Sequence, residues 1–109
     1  MADFELSLIS QTSLSDTSTI LFSVPKGKTC IITEMIFCNT HEEDVMIYAN
    51  FVKLNEGLSV KNTILKDLII KPNETYRMTF NTFLPQYSTI RLYASVNEKV
   101  SCNISGVVM

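Results

Sequence analysis

The chain is short of the residues that catalysis and nucleic-acid binding draw on. Its single histidine, His41, restricts any Ser–His–Asp or Cys–His arrangement to one base, and that base falls in the turn Thr40-His41-Glu42-Glu43. The sequence has no nucleophile-elbow motif, no G-x-G-x-x-G run and no phosphate loop. Charged residues make up only 18% of the chain, and the nine basic ones are scattered rather than gathered into the stripe that phosphate neutralisation needs. With a net charge of −2, nucleic acid is not an expected partner. No apolar run reaches 18 residues, so the sequence offers no membrane-spanning helix. The stretch Met1-Ala2-Asp3-Phe4-Glu5 is acidic and lacks the basic and apolar segments of a signal peptide, which sets the expectation of synthesis in the cytoplasm.

Cysteine is scarce and odd in number. Three thiols cannot all pair within one chain, as befits a reducing compartment. Cys30 and Cys38 are eight residues apart on one expected strand, roughly 26 Å at the strand rise, and so beyond disulfide reach. Cys102 could meet either of them across a sheet. Neither a C-x-x-C pair nor a histidine on the same face accompanies them, so no metal and no cofactor is expected, and the cysteines read as small hydrophobes. The cluster His41-Glu42-Glu43-Asp44 is the densest set of possible ligands, but carboxylates in a turn are ordinarily just solvated. Paired acids for glycoside hydrolysis are not excluded by the sequence, although the Asp and Glu residues sit mainly in turns. The chain is not expected to be an enzyme.

What is present is alternation. At 109 residues there is room for one domain with one core, and 46% hydrophobic residues with so little charge leave apolar surface for copies of the chain or a partner to cover. Ile90, Leu92 and Ala94 alternate with Thr89, Arg91 and Tyr93. Val100, Cys102, Ile104 and Val108 alternate with Ser101, Asn103 and Ser105. The sets Tyr76, Met78, Phe80 and Val45, Ile47, Ala49, Phe51 repeat the pattern, as do Ile20, Phe22, Val24 more briefly. In the run 29–39, apolar residues occupy both parities: Cys30, Ile32, Ile36, Cys38 on one side, and Ile31, Met35, Phe37 on the other. That marks a central strand covered on both faces.

Turn signals separate these runs at Pro25-Lys26-Gly27-Lys28, Leu54-Asn55-Glu56-Gly57, Lys71-Pro72-Asn73-Glu74 and Val96-Asn97-Glu98-Lys99. The spacing predicts about eight strands, near 4–10, 19–24, 29–39, 44–53, 66–71, 75–81, 88–95 and 99–108. The expected fold is all-β: a single antiparallel β-sandwich, jelly-roll or Ig-like. Residues 1–18 read as an N-terminal strand and polar arm, with Gln11–Ser18 the longest polar loop, and 19–109 as the sandwich domain. Leu14, Tyr48, Tyr87 and Tyr93 are the candidate interface residues; Tyr48, Tyr76, Tyr87 and Tyr93 could form a sugar-stacking platform, although phenols on outer strand faces are more often ordinary sheet residues.

The order of features resembles small bacteriophage virion proteins with a β-sandwich domain. The resemblance lies in VPKGKTCIITEMIFCNT, DVMIYANF, LKDLIIKPNETYRMTFNTFLPQYSTIRLYAS and VSCNISGVVM, spanning roughly residues 19–109. It is a pattern of turns and alternation rather than of catalytic residues. One departure stands out: Pro85-Gln86-Tyr87-Ser88 replaces the Ala-Gly-Asp usual in those proteins, so this loop is expected to turn differently. The resemblance implies a non-enzymatic structural subunit of a virion, of the capsid decoration, neck or tail accessory kind. Its implied partners are other virion proteins and copies of itself, as a homo-oligomer of trimeric or ring type. A receptor- or glycan-binding module of a tail or fibre is the alternative.

Overall fold

The computed structural model describes residues 7–109. Eight strands run β1 (Ser7–Ser13), β2 (Thr19–Ser23), β3 (Cys30–Asn39), β4 (Val45–Val52), β5 (Thr63–Ile70), β6 (Thr75–Leu84), β7 (Thr89–Ala94) and β8 (Val100–Val108), with one 3-10 turn at Val60–Asn62. They form two four-stranded antiparallel sheets, ordered β1-β8-β3-β6 and β2-β7-β4-β5. Only β4 and β5 are consecutive strands within one sheet; every other connection crosses to the opposite sheet. Of the two sandwich forms open to the sequence, this order is the jelly roll.

The alternating sets build the core as expected. Val45, Ile47 and Ala49 of β4, Ile90, Leu92 and Ala94 of β7, and Val100, Cys102 and Ile104 of β8 are fully buried between the sheets. Tyr76, Met78 and Phe80 of β6 are only partly buried, because β6 is an edge strand.

β3 departs from the simple pattern. Ile32 lies opposite Gly106 and Glu34 opposite Ser105, so Thr33 is an extra residue that switches the parity of the strand. The inward residues are therefore Cys30 and Ile32 before the bulge and Met35, Phe37 and Asn39 after it. Ile36 and Cys38 face outward, not inward with Cys30. A second bulge, at Leu21, does the same to β2. Ile20 turns out to solvent at 50% exposure, while Leu21 and Phe22 pack on the core.

The N-terminal region is also corrected. Gln11, Thr12 and Ser13 belong to β1 and pair with Asn103, Cys102 and Ser101, since an edge strand needs backbone partners rather than apolar side chains. The expected strand start and the first part of the arm, residues 1–6, lie outside the described residues. Leu14 is not at a surface. Its N–H donates to Val100 O (2.8 Å), its carbonyl accepts from Glu98 N (2.7 Å), and its side chain is fully buried where the chain crosses between sheets. β5 begins at Thr63, three residues earlier than the alternation suggested, and β6 continues to Leu84.

Four turns share one construction. The i+3 N–H donates to the residue-i carbonyl in Pro25–Lys28, Lys53–Glu56, Lys71–Glu74 and Pro85–Ser88, at 3.1 to 3.2 Å. The third residue of each, Gly27, Asn55, Asn73 and Tyr87, has a φ between 61° and 74°. The Pro85 loop thus turns as its three counterparts do, with a tyrosine where glycine or asparagine is the easy choice.

Candidate functional site

Both outer faces of the sandwich expose apolar side chains, and one of them also carries a stacked aromatic pair. The outer face of β1-β8-β3-β6 mixes hydroxyl and amide side chains with Ile36, Cys38 and the exposed Leu8 and Phe83, and Gln11 Nε2 donates there to Asn103 Oδ1 (2.9 Å) and Thr33 Oγ1 to the Ser105 carbonyl (3.1 Å). One ion pair crosses it, Arg77 Nε to Glu34 Oε2 at 3.3 Å. The outer face of β2-β7-β4-β5 is aromatic and aliphatic.

Period two decides which residues reach that second face. Because Ile47, Ala49 and Leu92 point inward, Met46 and Tyr48 of β4 and Tyr93 of β7 must point out. Tyr48 and Tyr93 lie directly opposite each other across the strand pair. Their rings stack with centroids 4.5 Å apart and planes 9° from parallel. Ile20, Met46 and Ile69 extend the apolar surface to either side, at 38 to 50% exposure. The Asp67 carboxylate beside the Tyr48 hydroxyl raises the phenol above its ordinary pKa, first by hydrogen bonding and then through burial.

A groove of about 520 Å³ opens beside the stacked pair, with Asn50, Leu58, Val60 and Lys66 among its walls. Its rim is the β4–β5 connection, which exposes Leu58 at 50% and Val60 at 93%. Those apolar side chains are held out by a tied loop. Glu56 accepts from Lys53 N (3.0 Å) and pairs with Lys61 Nζ (3.1 Å), and these contacts hold its carboxyl below the usual range. Asn62 accepts from Ser59 N (3.2 Å) and from Asn50 Nδ2 (2.7 Å), and donates to Gly57 O (2.8 Å). A leucine and a valine fixed in water next to an aromatic pair form the kind of patch that marks a contact surface.

The structure brings Tyr48 and Tyr93 together and leaves Tyr87 apart, in the turn between β6 and β7 with φ 67°. Leu14 is in the core. Leu58, Val60 and the Asn50–Asn62 bond were missed by sequence reasoning; the only signal was two apolar residues inside a segment otherwise rich in turn formers.

The cysteines sit where packing puts them. Cys30 and Cys102 are buried, and burial pushes both thiols up, Cys102 to about 12; Cys38 is partly exposed on the outer face. All three are free. Among the described residues no three of His, Cys, Asp and Glu gather as a metal site. The His41 turn is shaped instead by Asn39, whose Oδ1 accepts from His41 N (2.8 Å).

No protein-family model matches the chain, and no curated protein matches it in sequence. Its fold is similar to that of chains in two solved virus structures. One is the crystal structure of the T13 viral particle of IBDV, with TM-score 0.53 and 13% identity over 96% of this chain and 30% of that one. The other is infectious bursal disease virus strain Gx, with TM-score 0.50 and 13% identity over 97% of this chain and 30% of that one. The chain therefore spans less than a third of the length of these proteins, and at this identity the likeness is one of fold.

Proposed function

We propose that the protein is a non-enzymatic structural subunit of a virion, docked onto other virion proteins through the outer face of β2-β7-β4-β5. The observation that carries this reading is the rigid apolar patch of Tyr48, Tyr93, Leu58 and Val60. Leu58 and Val60 stand in solvent at 50% and 93% exposure beside the stacked tyrosines, in a loop tied by the Asn62 hydrogen bonds. The jelly-roll strand order and the fold likeness to chains of viral particles support it. The sequence pattern suggests a phage particle, and within it a decoration, neck or tail accessory role.

The test is incorporation. Leu58→Asp with Val60→Asp changes two exposed side chains and should leave the thermal transition within a few degrees of the parent. Particles assembled with the double variant should carry at least tenfold less of this protein, counted by quantitative mass spectrometry of purified particles. Normal copy number would remove the proposal.

A second reading has one observation behind it, the groove next to the stacked tyrosines, whose size and aromatic wall suit a sugar ring. Binding on a glycan array that is lost in Tyr48→Ala and Tyr93→Ala, with incorporation unchanged in Leu58→Asp/Val60→Asp, would favour it instead.

A further inference from the structure

The four sheet edges are not equally protected. β5 is interrupted twice against β4, carries Lys66 and Asp67, and has Asp67 at φ 54°. β2 is five residues long and bulged, and β1 is bulged at Ile9. Bulges, charge and shortness are the devices that stop an edge from recruiting another strand. β6 has few of them. It runs ten residues from Thr75 to Leu84, about 33 Å, without proline or lysine, and among the described residues pairs with β3 alone. Phe80 and Asn81 together oppose Thr33 of β3, yet exposure along β6 alternates without a break through that point, so the strand stays extended. Its inward side chains Tyr76, Met78 and Phe80 remain only partly buried, an apolar seam that the monomer does not close.

We infer that β6 is a dimerisation edge whose occupant is β6 of a second copy, antiparallel across a two-fold axis at Thr79, giving one continuous eight-stranded sheet. Register follows from the side-chain period. Only an even sum of paired residue numbers keeps outward residues opposite outward ones, and centring on Thr79 pairs nine residues, Thr75 to Phe83, while leaving the buried Leu84 outside. In that register Arg77, the only charge on β6, faces Asn81 of the other copy rather than its own counterpart, and Met78 meets Phe80. Like charges are nowhere opposed, and the seam is covered. A two-fold pairing of one strand with itself closes after two copies. This contact uses an edge and not the tyrosine-bearing face, so it stands or falls apart from the docking proposal.

Thr79 supplies the test because it is exposed and opposes only itself. Sedimentation and light scattering should show a dimer for the parent chain. Thr79→Lys and Thr79→Glu should each run as folded monomers, with circular dichroism like the parent's, while Thr79→Val stays dimeric. An equimolar mixture of T79K and T79E should recover the dimer, since lysine then faces glutamate. A parent chain monomeric at its highest soluble concentration, or a T79K variant as dimeric as the parent, would overturn the inference. So would a mixture of the two charged variants that stays monomeric.

Discussion

At the scale of single residues, Asn39 shows how much organisation one buried amide can carry. It ends β3, is fully buried, and its side chain meets three backbone groups. Nδ2 donates to the carbonyls of Glu43 and Ile70, both at 2.9 Å, while Oδ1 accepts from His41 N. Its main chain adds bonds to Glu74 O and from Asn73 N. One residue thus fixes the β3–β4 turn, the end of β5 and the turn into β6. Asn39→Ala leaves those three backbone groups without their side-chain partners in a fully buried position, and stability should fall by about 2–4 kcal/mol. Asn39→Asp should be at least as harmful, because an acceptor then faces two carbonyl oxygens and a charge is buried. Urea denaturation at constant m-value would check both. A loss in Asn39→Ala below about 1 kcal/mol would mean the turns hold themselves.

At the scale of elements, the bulge in β3 and the glycine in β8 are one device. Where Thr33 adds a residue to β3, β8 approaches so closely that a Cβ on Gly106 would lie 2.5 Å from the Ile31 carbonyl oxygen. The obstacle is backbone, so a side chain cannot swing clear. Gly106→Ala should therefore destabilise the protein by about 1–3 kcal/mol, as overpacking does. Gly57→Ala, where an added Cβ meets nothing, should change stability far less and serves as the control. Equal melting temperatures for the two variants would contradict the close approach. The same device explains what the sequence did and did not disclose. Strands whose alternation is unbroken, such as β7 and β4, were legible in position and in face. Two with an extra residue, β2 and β3, were legible in position but wrong in face on one side of the bulge, because an inserted residue shifts parity without leaving a mark in composition. The candidate surface divides in the same way. Tyr48 and Tyr93 could be assigned to outward positions from their own strands, but their stacking depends on a register that pairs β4 with β7 across the 36 residues between the two strands. Leu14 was misplaced because loop geometry, not period, decides where it goes, and the same kind of geometry sets the exposed Tyr87 apart from the stacked pair.

At the scale of the whole molecule, the connectivity makes the two sheets a single cooperative unit. Since every connection except β4–β5 crosses between sheets, neither sheet can open without pulling strands from the other. The three thiols can report this. Cys30 on β3 and Cys102 on β8 face the core, and burial holds both above the ordinary thiol pKa, so the reactive thiolate is suppressed in the folded protein at neutral pH. Cys38 faces outward and is only partly covered. A thiol reagent at neutral pH should therefore label one cysteine of the native protein, identified as Cys38 by peptide mass spectrometry. The other two should react only through global unfolding, with the same dependence on urea as each other and as the unfolding equilibrium. Were Cys102 to react without denaturant as readily as Cys38, or Cys30 and Cys102 to follow different urea dependences, the sheets would be separable. The jelly roll would then be two stacked units rather than one.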